Sequence, residues 1–406
     1  MSKPISAPTY PVRRSAVIAA AIERLEKHDW TRLEGEPETE AALAAWHGRG
    51  ITGTDPEVWY VASGTAALEA IMLGHEIGPG DEVVVTPYTW GATVSAILAI
   101  GAIPVFADVD PLTGLLDPVA AEAAITPRTR AIMCVHLFGT PCDGTRLREL
   151  ADRRGVLLFE DGSQAHGARW RGTRVGAFGH AAAFSCMGLK LLAGTEGGYA
   201  VFHDQKAAER AYLYGKHPRG LRPERAAHLA EEGLLDALQL GWRPCTVGAA
   251  LVRHALPHLD EEIAARRRHA AVLRARLGST AHVTMPPEPE GATACWHLLS
   301  LVFHPEHAGC DLETYRSRLE QRGVGTFRYI PVPIHRLKRL NPHEYNGPRV
   351  FWHEQLRRAG VDYRQTSCPN AEWRAAREFT MGFNWTGDDP DAMERLGDAL
   401  IAAATT

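Results

Sequence analysis

Short runs of apolar residues alternate with segments of helical periodicity between about residues 57 and 205. The runs are apolar throughout and do not alternate with polar residues, which is typical of strands covered by helices on both faces. The pattern therefore predicts an α/β domain with a largely parallel central sheet. The predicted strands span 58–62, 83–85, 103–107, 130–136 and 156–159, and the predicted helices between them span 65–73, 89–100 and 143–154.

A second region begins near residue 205, where charge-rich segments with helical periodicity replace the alternation. The longest predicted helix covers 259–277, and the proline-rich segment 286–291 after it predicts a stiff loop. A shorter α+β region follows and ends in a predicted helix over 391–403. We therefore expect an N-terminal arm and large domain over 1–250, and an interdomain helix with a smaller domain over 251–406.

The charge balance and the apolar stretches bear on possible partners. The 44 Lys+Arg and 48 Asp+Glu leave a net charge of -4, which provides no field for binding nucleic acid or an anionic membrane. The apolar run 15–22 follows two arginines but passes directly into charged residues, so it predicts an amphipathic helix and not an export signal. The stretch 94–109 is interrupted by Gly101 and Pro104 and is too short to span a bilayer. We expect neither nucleic-acid binding nor a membrane span.

The seven cysteines are widely spaced, odd in number and free of any CxxC pair. This pattern indicates neither a disulfide framework nor a zinc ribbon, and it favours reduced thiols in a cytoplasm. One short run, His304-x-x-His307-x-x-Cys310, contains possible ligands, but it is more typical of a polar loop. We expect no metal site.

A possible anion site lies at the first strand-to-helix turn, where Ser63, Gly64 and Thr65 follow a predicted strand. Glycine allows close backbone approach, and the amides of a helix N-terminus together with the Thr65 hydroxyl can bind a phosphate. Alone, the motif is more typical of an ordinary capped helix than of a phosphate site. The glycine-rich motifs of dinucleotide-binding and P-loop proteins are absent from the sequence at the corresponding places.

Two further positions combine polar groups with apolar surroundings. Asp161 follows an apolar strand, and ligands of open α/β sheets bind at the carboxyl ends of such strands. Alone, Asp161 could instead cap the next turn. Lys190 lies in an apolar, glycine-framed stretch, where loss of solvent would lower the pKa of its amine and make it a nucleophile toward carbonyls. The alternative is a lysine that extends out of a helix into solvent.

The order of these features predicts one cofactor. Along the chain come the phosphate site, an aromatic residue (Trp90) after the next strand, Asp161, and then Ser185 and Lys190. Pyridoxal 5′-phosphate (PLP) requires such a set: a lysine for the Schiff base, a carboxylate that keeps the pyridine nitrogen protonated, an aromatic residue on the ring face and a phosphate site. The sequence therefore predicts a PLP enzyme.

The same stretches resemble the DegT/DnrJ/StrS family of fold-type I PLP enzymes, chiefly sugar and cyclitol aminotransferases, over nearly the whole chain. The version of the lysine motif found here is similar to the branch that acts on inosose-type cyclitol ketones. The matching stretches are SGTAALEA (63–70), PGDEVVVTPYTWGATVSAIL (79–98), GAIPVFADVDP (101–111), VHLFGTPCD (135–143), FEDGSQAHGA (159–168), AAAFSCMGLK (181–190), GTEGGYAVF (194–202) and, more weakly, CPNAEW (368–373).

The resemblance implies a role for each matching residue. Lys190 would form the Schiff base and move the proton, Asp161 would pair with the pyridine nitrogen, and Gln164 with the ring hydroxyl. Trp90 would stack on the ring. The residues implied at the phosphate are Gly64, Thr65 and Ser185.

The resemblance also implies a homodimer whose active sites are shared across the interface. In relatives, a Gly-x-[NK]-Tyr-Arg segment of the neighbouring subunit reaches the phosphate. Here the segment reads Leu-Gly-Trp-Arg-Pro-Cys over 240–245, so Arg243 is the candidate and the Tyr-Arg pair is missing. On the substrate side we expect His166, Tyr329 and His335, although either histidine could instead be a hydrogen-bonded support of the fold.

These features together predict a cytoplasmic PLP-dependent aminotransferase of secondary metabolism, such as antibiotic biosynthesis. By resemblance, glutamine or glutamate would donate the amino group, and a ketone of a sugar, cyclitol or related polar compound would accept it. One alternative is a dehydratase or lyase of the same family. Family dehydratases that replace the lysine by histidine are disfavoured because Lys190 is present, whereas lysine-bearing members with dual activity stay open. Another alternative is a non-catalytic binding or regulatory protein with the same fold.

Overall fold

A computed structural model describes six stretches of the chain, 14–27, 36–50, 53–215, 238–278, 280–385 and 390–405. The α-helices are α1 (Arg14–Glu26), α2 (Pro37–His47), α3 (Gly64–Gly74), α4 (Gly91–Ala99), α5 (Pro118–Ala124), α6 (Gly144–Arg154), α7 (Gln205–Gly215), α8 (Thr246–Ala255), α9 (Leu259–Leu277), α10 (Leu312–Gln321), α11 (Trp352–Arg358), α12 (Pro369–Arg377) and α13 (Pro390–Ala402). Short 3-10 helices span Leu137–Gly139, Leu256–His258, Pro305–His307, Ile334–Arg336 and Tyr363–Gln365.

The strands are β1 (Glu57–Val61), β2 (Glu82–Val85), β3 (Ile103–Phe106), β4 (Thr129–Val135), β5 (Leu157–Asp161), β6 (Arg169–Trp170), β7 (Thr173–Arg174), β8 (Ala181–Ser185), β9 (Gly198–Phe202), β10 (Val283–Thr284), β11 (Ala292–Thr293), β12 (Leu298–Phe303) and β13 (Glu378–Gly382). Seven of them form the central sheet in the order β1-β9-β8-β5-β4-β2-β3. Six of the seven strands run in the same direction, and β9 runs opposite to them. The predicted α/β architecture with a largely parallel sheet is confirmed.

Local sequence explains where the helices around the sheet begin and end. The Ser63 hydroxyl accepts a hydrogen bond from the Ala66 amide at 3.0 Å and caps α3, and Asp143 caps α6 in the same way. Helix α6 ends at Gly155, whose φ of 65° is accessible to glycine without strain. These caps fix the turns that follow β1 and β4, and the first of these turns borders the candidate site.

Two apolar cores are formed in this chain, and helix α9 contributes its first residues to one and its last residues to the other. The first surrounds the central sheet and includes Leu259 and Ile263 from the start of α9. The second includes Leu273 and Leu277 from its end, together with the three-stranded sheet β10-β12-β13. Part of the C-terminal region packs on the first core through residues such as Ile330, Leu356 and Ala375. Helix α9 therefore joins two packed units, and the segment 330–375 belongs by its contacts to the larger one.

The carboxyl ends of the parallel strands meet at one edge of the central sheet, opposite the segment 327–330. This segment is tied to β13 because Phe327 and Thr380 exchange backbone hydrogen bonds of 2.9 and 2.7 Å. A cavity lies between the strand ends and this segment. Among the described helices, none has the length and apolarity needed to cross a bilayer.

Candidate active site

The cavity at the strand ends has a volume of about 380 Å³. It is bounded by the N-termini of α3 and α4, by the turns after β4, β5 and β8, and by the segment 327–330 on the far side. It brings together most of the site residues that the sequence predicts. Those that line it are Gly64, Thr65, Trp90, Asp161, Gln164, Ser185, Lys190 and Tyr329.

The phosphate site predicted at α3 has the close backbone approach that it requires. A Cβ atom placed on Gly64 would lie 2.7 Å from the Cβ of Ser185, and one placed on Gly198 would lie 2.5 Å from the Gly64 nitrogen. Side chains at these positions would push the turn and the strand apart. The first amides of α3 have no partner within the helix, and the hydroxyl-bearing Thr65 and Ser185 line the same end of the cavity. This arrangement can bind a phosphate.

Asp161, the last residue of β5, is buried and held by two hydrogen bonds. Its Oδ2 accepts from the Thr93 hydroxyl at 2.7 Å, and its Oδ1 accepts from the Ser163 amide at 3.1 Å. The Thr93 hydroxyl also lies 3.1 Å from the Thr89 hydroxyl. Both bonds fix the direction of the carboxyl group. Thr93 was not predicted as a site residue, because its contact with Asp161 depends on how α4 packs beside β5.

Lys190 lies in a turn after β8 and lines the cavity. Burial lowers the pKa of its amine below the usual value, and the neighbouring Asp161 partly opposes this effect. Burial also raises the pKa of the Cys186 thiol, so the thiol stays protonated. A lysine of this kind carries more neutral amine at pH 7 than an exposed lysine does, which makes it the better nucleophile toward a carbonyl.

Two aromatic rings and an amide form the outer part of the cavity. The rings of Trp90 and Tyr329 lie 5.3 Å apart between centroids and are tilted by 35°. The Gln164 side chain accepts a hydrogen bond from the Phe138 amide at 2.7 Å through Oε1, and its Nε2 donates to the Tyr329 hydroxyl at 2.7 Å. The backbone donor fixes which end of the amide faces Tyr329. Gln164 thus connects the sheet to the opposite side of the cavity.

His136, at the end of β4, also lines the cavity and was not predicted. Its Nδ1 accepts from the Cys142 amide at 3.0 Å, so its Nε2 carries the proton and donates to Glu160 at 3.2 Å. His136 lies close to Cys134 and Cys142 in a group that resembles a set of metal ligands. Since protein hydrogen bonds occupy both ring nitrogens, this imidazole has no free lone pair for a metal.

The two predicted substrate-binding histidines do not line the cavity. His166 is fully buried against Phe184, and burial together with the charge of Lys190 lowers its pKa to about 3, which keeps it neutral. The Nε2 of His335 lies 2.9 Å from the Glu372 carboxylate. Direct substrate contact by either histidine stays a prediction.

Arg243 is exposed and does not line the cavity of its own chain. The residue before it, Trp242, is buried and donates a hydrogen bond to Glu69 on α3 at 3.0 Å. This contact places the segment beside the helix that carries the phosphate site. A contact of Arg243 across a subunit interface stays a prediction.

The residues present suit PLP in chemical type and in placement. The cradle at Gly64 and Ser185 leaves no room for a side-chain carbon on Gly64, and the hydroxyl-bearing Thr65 and Ser185 line the cavity there, as a phosphate site requires. Asp161 is oriented by Thr93, and the amine of Lys190 has lost much of its solvent. A carboxylate for a pyridine nitrogen and a lysine for an aldehyde thus border one cavity.

Comparison with known proteins agrees with this geometry. The model of the DegT/DnrJ/EryC1/StrS aminotransferase family matches residues 13–381. The dTDP-3-amino-3,4,6-trideoxy-alpha-D-glucose transaminase of Streptomyces venezuelae is 37% identical over 279 residues, which cover 68% of this chain and 69% of that protein. The L-glutamine:2-deoxy-scyllo-inosose aminotransferase of Streptomyces lividus is 39% identical over 330 residues, which cover 79% of this chain and 76% of that protein.

A solved structure extends the similarity to the full length of the chain. The X-ray structure of DesV from S. venezuelae, in complex with a ketimine intermediate, has a TM-score of 0.81 and 30% sequence identity, with 100% of each chain covered. The resemblance and the fold-type I architecture expected from the motifs are confirmed. The chain belongs to the DegT/DnrJ/EryC1/StrS aminotransferase family.

Proposed function

We propose that this enzyme uses PLP held on Lys190 to transfer the amino group of glutamine or glutamate to a ketone of a cyclitol, sugar or related polar compound in secondary metabolism. The observation that carries the proposal is the desolvated Lys190 amine in one cavity with the buried Asp161 carboxylate and the amide cradle at Gly64. The names of the two relatives, one acting on a sugar and one on an inosose, support the acceptor class.

Several residues of the cavity would share in holding the cofactor. The first amides of α3 and the hydroxyls of Thr65 and Ser185 would bind its phosphate. The Asp161 carboxyl group, oriented by its hydrogen bond from Thr93, would accept a hydrogen bond from the protonated pyridine nitrogen. Trp90 would cover the ring. Bound PLP supplies an electron sink that stabilises negative charge on a substrate carbon.

Proton transfer falls to Lys190. Its lowered pKa leaves more neutral amine near pH 7, so Nζ can take a proton from one carbon and return it to another. Asp161 limits this shift because its charge favours the protonated amine. The Gln164–Tyr329 hydrogen bond of 2.7 Å closes the far side of the cavity, which reduces access of water to the reacting carbon.

The surroundings of the cavity support a homodimer with shared sites. Three large apolar side chains near its mouth or near Arg243 are exposed in the single chain: Trp90 by 57%, Leu189 by 72% and Leu240 by 56%. A second copy would cover such a surface, and Arg243 would then reach the phosphate of its partner. The free thiols of all seven cysteines support a reducing, cytoplasmic location.

Spectroscopy of the half-reaction tests the proposal. The PLP-loaded protein would be mixed with single amino acids while the visible absorbance of the cofactor is recorded, and the released cofactor would be identified by mass spectrometry. We expect glutamine or glutamate to convert the cofactor to pyridoxamine phosphate. A spectral change without pyridoxamine phosphate would instead indicate a lyase, and no change with any amino acid would indicate a non-catalytic protein.

A further inference from the structure

The turn after β4 has a backbone conformation that is unusual for its residue type. Phe138, in the 3-10 helix Leu137–Gly139, has a φ of 57° and a ψ of 8°, which lie in the left-handed region. Residues with a Cβ atom rarely adopt this conformation because the Cβ atom crowds the backbone carbonyl, and bulky residues adopt it least often. The surrounding structure must therefore impose it, and such imposed strain is found mostly at functional sites.

Buried hydrogen bonds fix the residues on both sides of this turn. The His136 ring accepts from the Cys142 amide at 3.0 Å and donates to the Glu160 carboxylate at 3.2 Å. Glu160 also accepts three backbone hydrogen bonds of 2.6 to 3.1 Å, from Gly176, Phe178 and Gly179. The two flanks of the turn are thus tied to β5 in the interior of the central sheet.

The middle of the turn is bonded to the segment that leads into β12. The Phe138 carbonyl accepts from the His297 amide at 3.0 Å, and the Gly139 carbonyl accepts from the Cys295 amide at 2.9 Å. A Cβ atom placed on Gly139 would lie 2.7 Å from the Cys295 sulfur, so the contact is close. Trp296, inside this segment, has a φ of 54°. Two strained residues therefore lie on opposite sides of one tight contact.

The turn directs two groups of Phe138 toward the active site. Its amide donates to Oε1 of Gln164 at 2.7 Å. Its ring packs against the Tyr329 ring at a centroid distance of 5.5 Å and an angle of 67°. Phe138 is buried and does not line the cavity, whereas Gln164 and Tyr329 both do. Phe138 therefore contacts two residues of the cavity wall without reaching the cavity itself.

The bond from Phe138 decides which end of the Gln164 amide is offered to a ligand. A side-chain amide accepts through its oxygen and donates two hydrogens from its nitrogen. Because Oε1 is bonded to the Phe138 amide, Nε2 lies on the side of Tyr329 and donates to its hydroxyl at 2.7 Å. The second hydrogen of Nε2 has no partner in the part of the chain that the structure describes. Gln164 thus offers a donor to an oxygen atom in the cavity.

We propose that Phe138 is a positioning residue, whose left-handed backbone aims the amide that makes Gln164 present its donor to the cavity, and whose ring supports Tyr329. The inference rests on the proposed function for the ligand, the ring hydroxyl of PLP. If the turn relaxed out of the left-handed region, the Phe138 amide would turn away from Oε1. Gln164 would then present either end, and the affinity for PLP would fall with the fraction of molecules that keep the donor in place.

Two isomeric substitutions separate the backbone of Phe138 from its ring. Phe138→Leu and Phe138→Ile both remove the ring and add side chains of equal composition, but the β-branched isoleucine opposes the left-handed conformation more strongly. We expect the Kd for PLP to be about fivefold higher in Phe138→Ile than in Phe138→Leu. Titration of the apoprotein, followed by fluorescence, measures both values. Equal affinities in the two variants would overturn the proposal.

The same two substitutions at Glu76 are the matched control. Glu76 follows α3 with a φ of 60°, its side chain is exposed, and it does not line the cavity. Glu76→Ile should melt at a lower temperature than Glu76→Leu for the same backbone reason, while the two bind PLP equally. A difference in PLP affinity as large at position 76 as at position 138 would mean that strain anywhere weakens binding, which would contradict the role assigned to Phe138.

Loss of the ring should act on the acceptor. We expect the KM for the ketone to rise about fivefold in both Phe138→Leu and Phe138→Ile relative to the wild type, because Tyr329 loses its aromatic neighbour. Steady-state assays with the ketone varied at a saturating donor concentration measure this effect. An unchanged KM in both variants would contradict the support of Tyr329 by the ring.

A last measurement needs neither cofactor nor turnover, and it leaves the turn itself unchanged, so it decides the question even where the Phe138 variants fail to fold. Hydrogen exchange of the Phe138 amide in the apoprotein should be at least about tenfold faster in Gln164→Leu than in the wild type, because the amide loses its acceptor. Gln164→Glu keeps an oxygen at this place and should preserve the protection. Equal exchange in the wild type and Gln164→Leu would overturn the proposal. If the wild type binds no PLP, the proposed function fails, while this measurement still shows whether Phe138 holds Gln164.

Discussion

The two sides of the cavity are built on different physical principles. The cofactor side consists of turns at the ends of packed strands, where Gly64 and Ser185 are so close that a single added carbon would not fit. The closing side depends on Tyr329, whose segment is held by the backbone hydrogen bonds between Phe327 and Thr380 and by the side-chain hydrogen bond to Gln164. The cofactor side is therefore fixed by close packing, as suits a place where a cofactor must stay bound. The closing side is fixed by a few hydrogen bonds, as suits a place where a substrate must enter and leave.

The largest loss should follow removal of the Lys190 amine. We expect Lys190→Ala to lower turnover by at least about a thousandfold, because both the covalent link and the proton carrier disappear. Steady-state assays and the visible spectrum of the bound cofactor would measure the effect. Lys206→Ala, which removes an exposed amine on α7, is the control. Near-normal turnover in Lys190→Ala would refute the assignment of the catalytic residue.

The charge on the cofactor side should matter next. Asp161→Asn keeps the shape of the side chain but removes the charge that pairs with a pyridine nitrogen, and we expect a fall of about a hundredfold in kcat. Asp152→Asn serves as the control, because its carboxylate forms an exposed ion pair with Arg148 on α6. An Asp161→Asn enzyme with wild-type kcat would mean that this carboxylate does not act on the cofactor.

The packing of the cradle can be tested with two glycines at helix starts. A methyl group at Gly64 would meet Ser185, whereas one at Gly91 meets nothing within 4 Å. We expect Gly64→Ala to weaken PLP binding about tenfold, in line with the energy of overpacking, and Gly91→Ala to leave it unchanged. Cofactor titration followed by fluorescence would measure both affinities. Equal affinities would show that the close approach is unimportant.

The smallest effect should come from the closing side. Tyr329→Phe removes the hydroxyl that accepts from Gln164, and we expect the KM for the ketone to rise about fivefold with little change in kcat, the size of one neutral hydrogen bond. Tyr214→Phe, outside the cavity, is the control. A larger effect on kcat than on KM would place Tyr329 in the chemical step and weaken the distinction between the two sides.

The cofactor side could be predicted from sequence because each of its residues lies in a short strand–turn motif. Even there, β5 extends to Asp161, two residues beyond the predicted end, since it pairs with β4 up to Val135. Strands β8 and β9 were not predicted as strands. The alanine-rich start of β8 has low strand propensity, and only its burial between β5 and β9 makes it a strand.

The contacts that position the site residues could not be predicted. Thr93 bonds Asp161 across 68 residues of sequence, and Gln164 bonds Tyr329 across 165. Such contacts depend on which elements pack together, and a periodicity pattern does not specify that.

Transfer of labelled nitrogen tests the central claim most directly. The enzyme would be incubated with PLP, an inosose-type ketone or a keto sugar, and glutamine or glutamate labelled with ¹⁵N at the α-amino group, and the products would be analysed by mass spectrometry. We predict an amino product of the ketone that carries the label, formed by the wild type and not by Lys190→Ala. Consumption of the ketone without incorporation of the label would contradict the account.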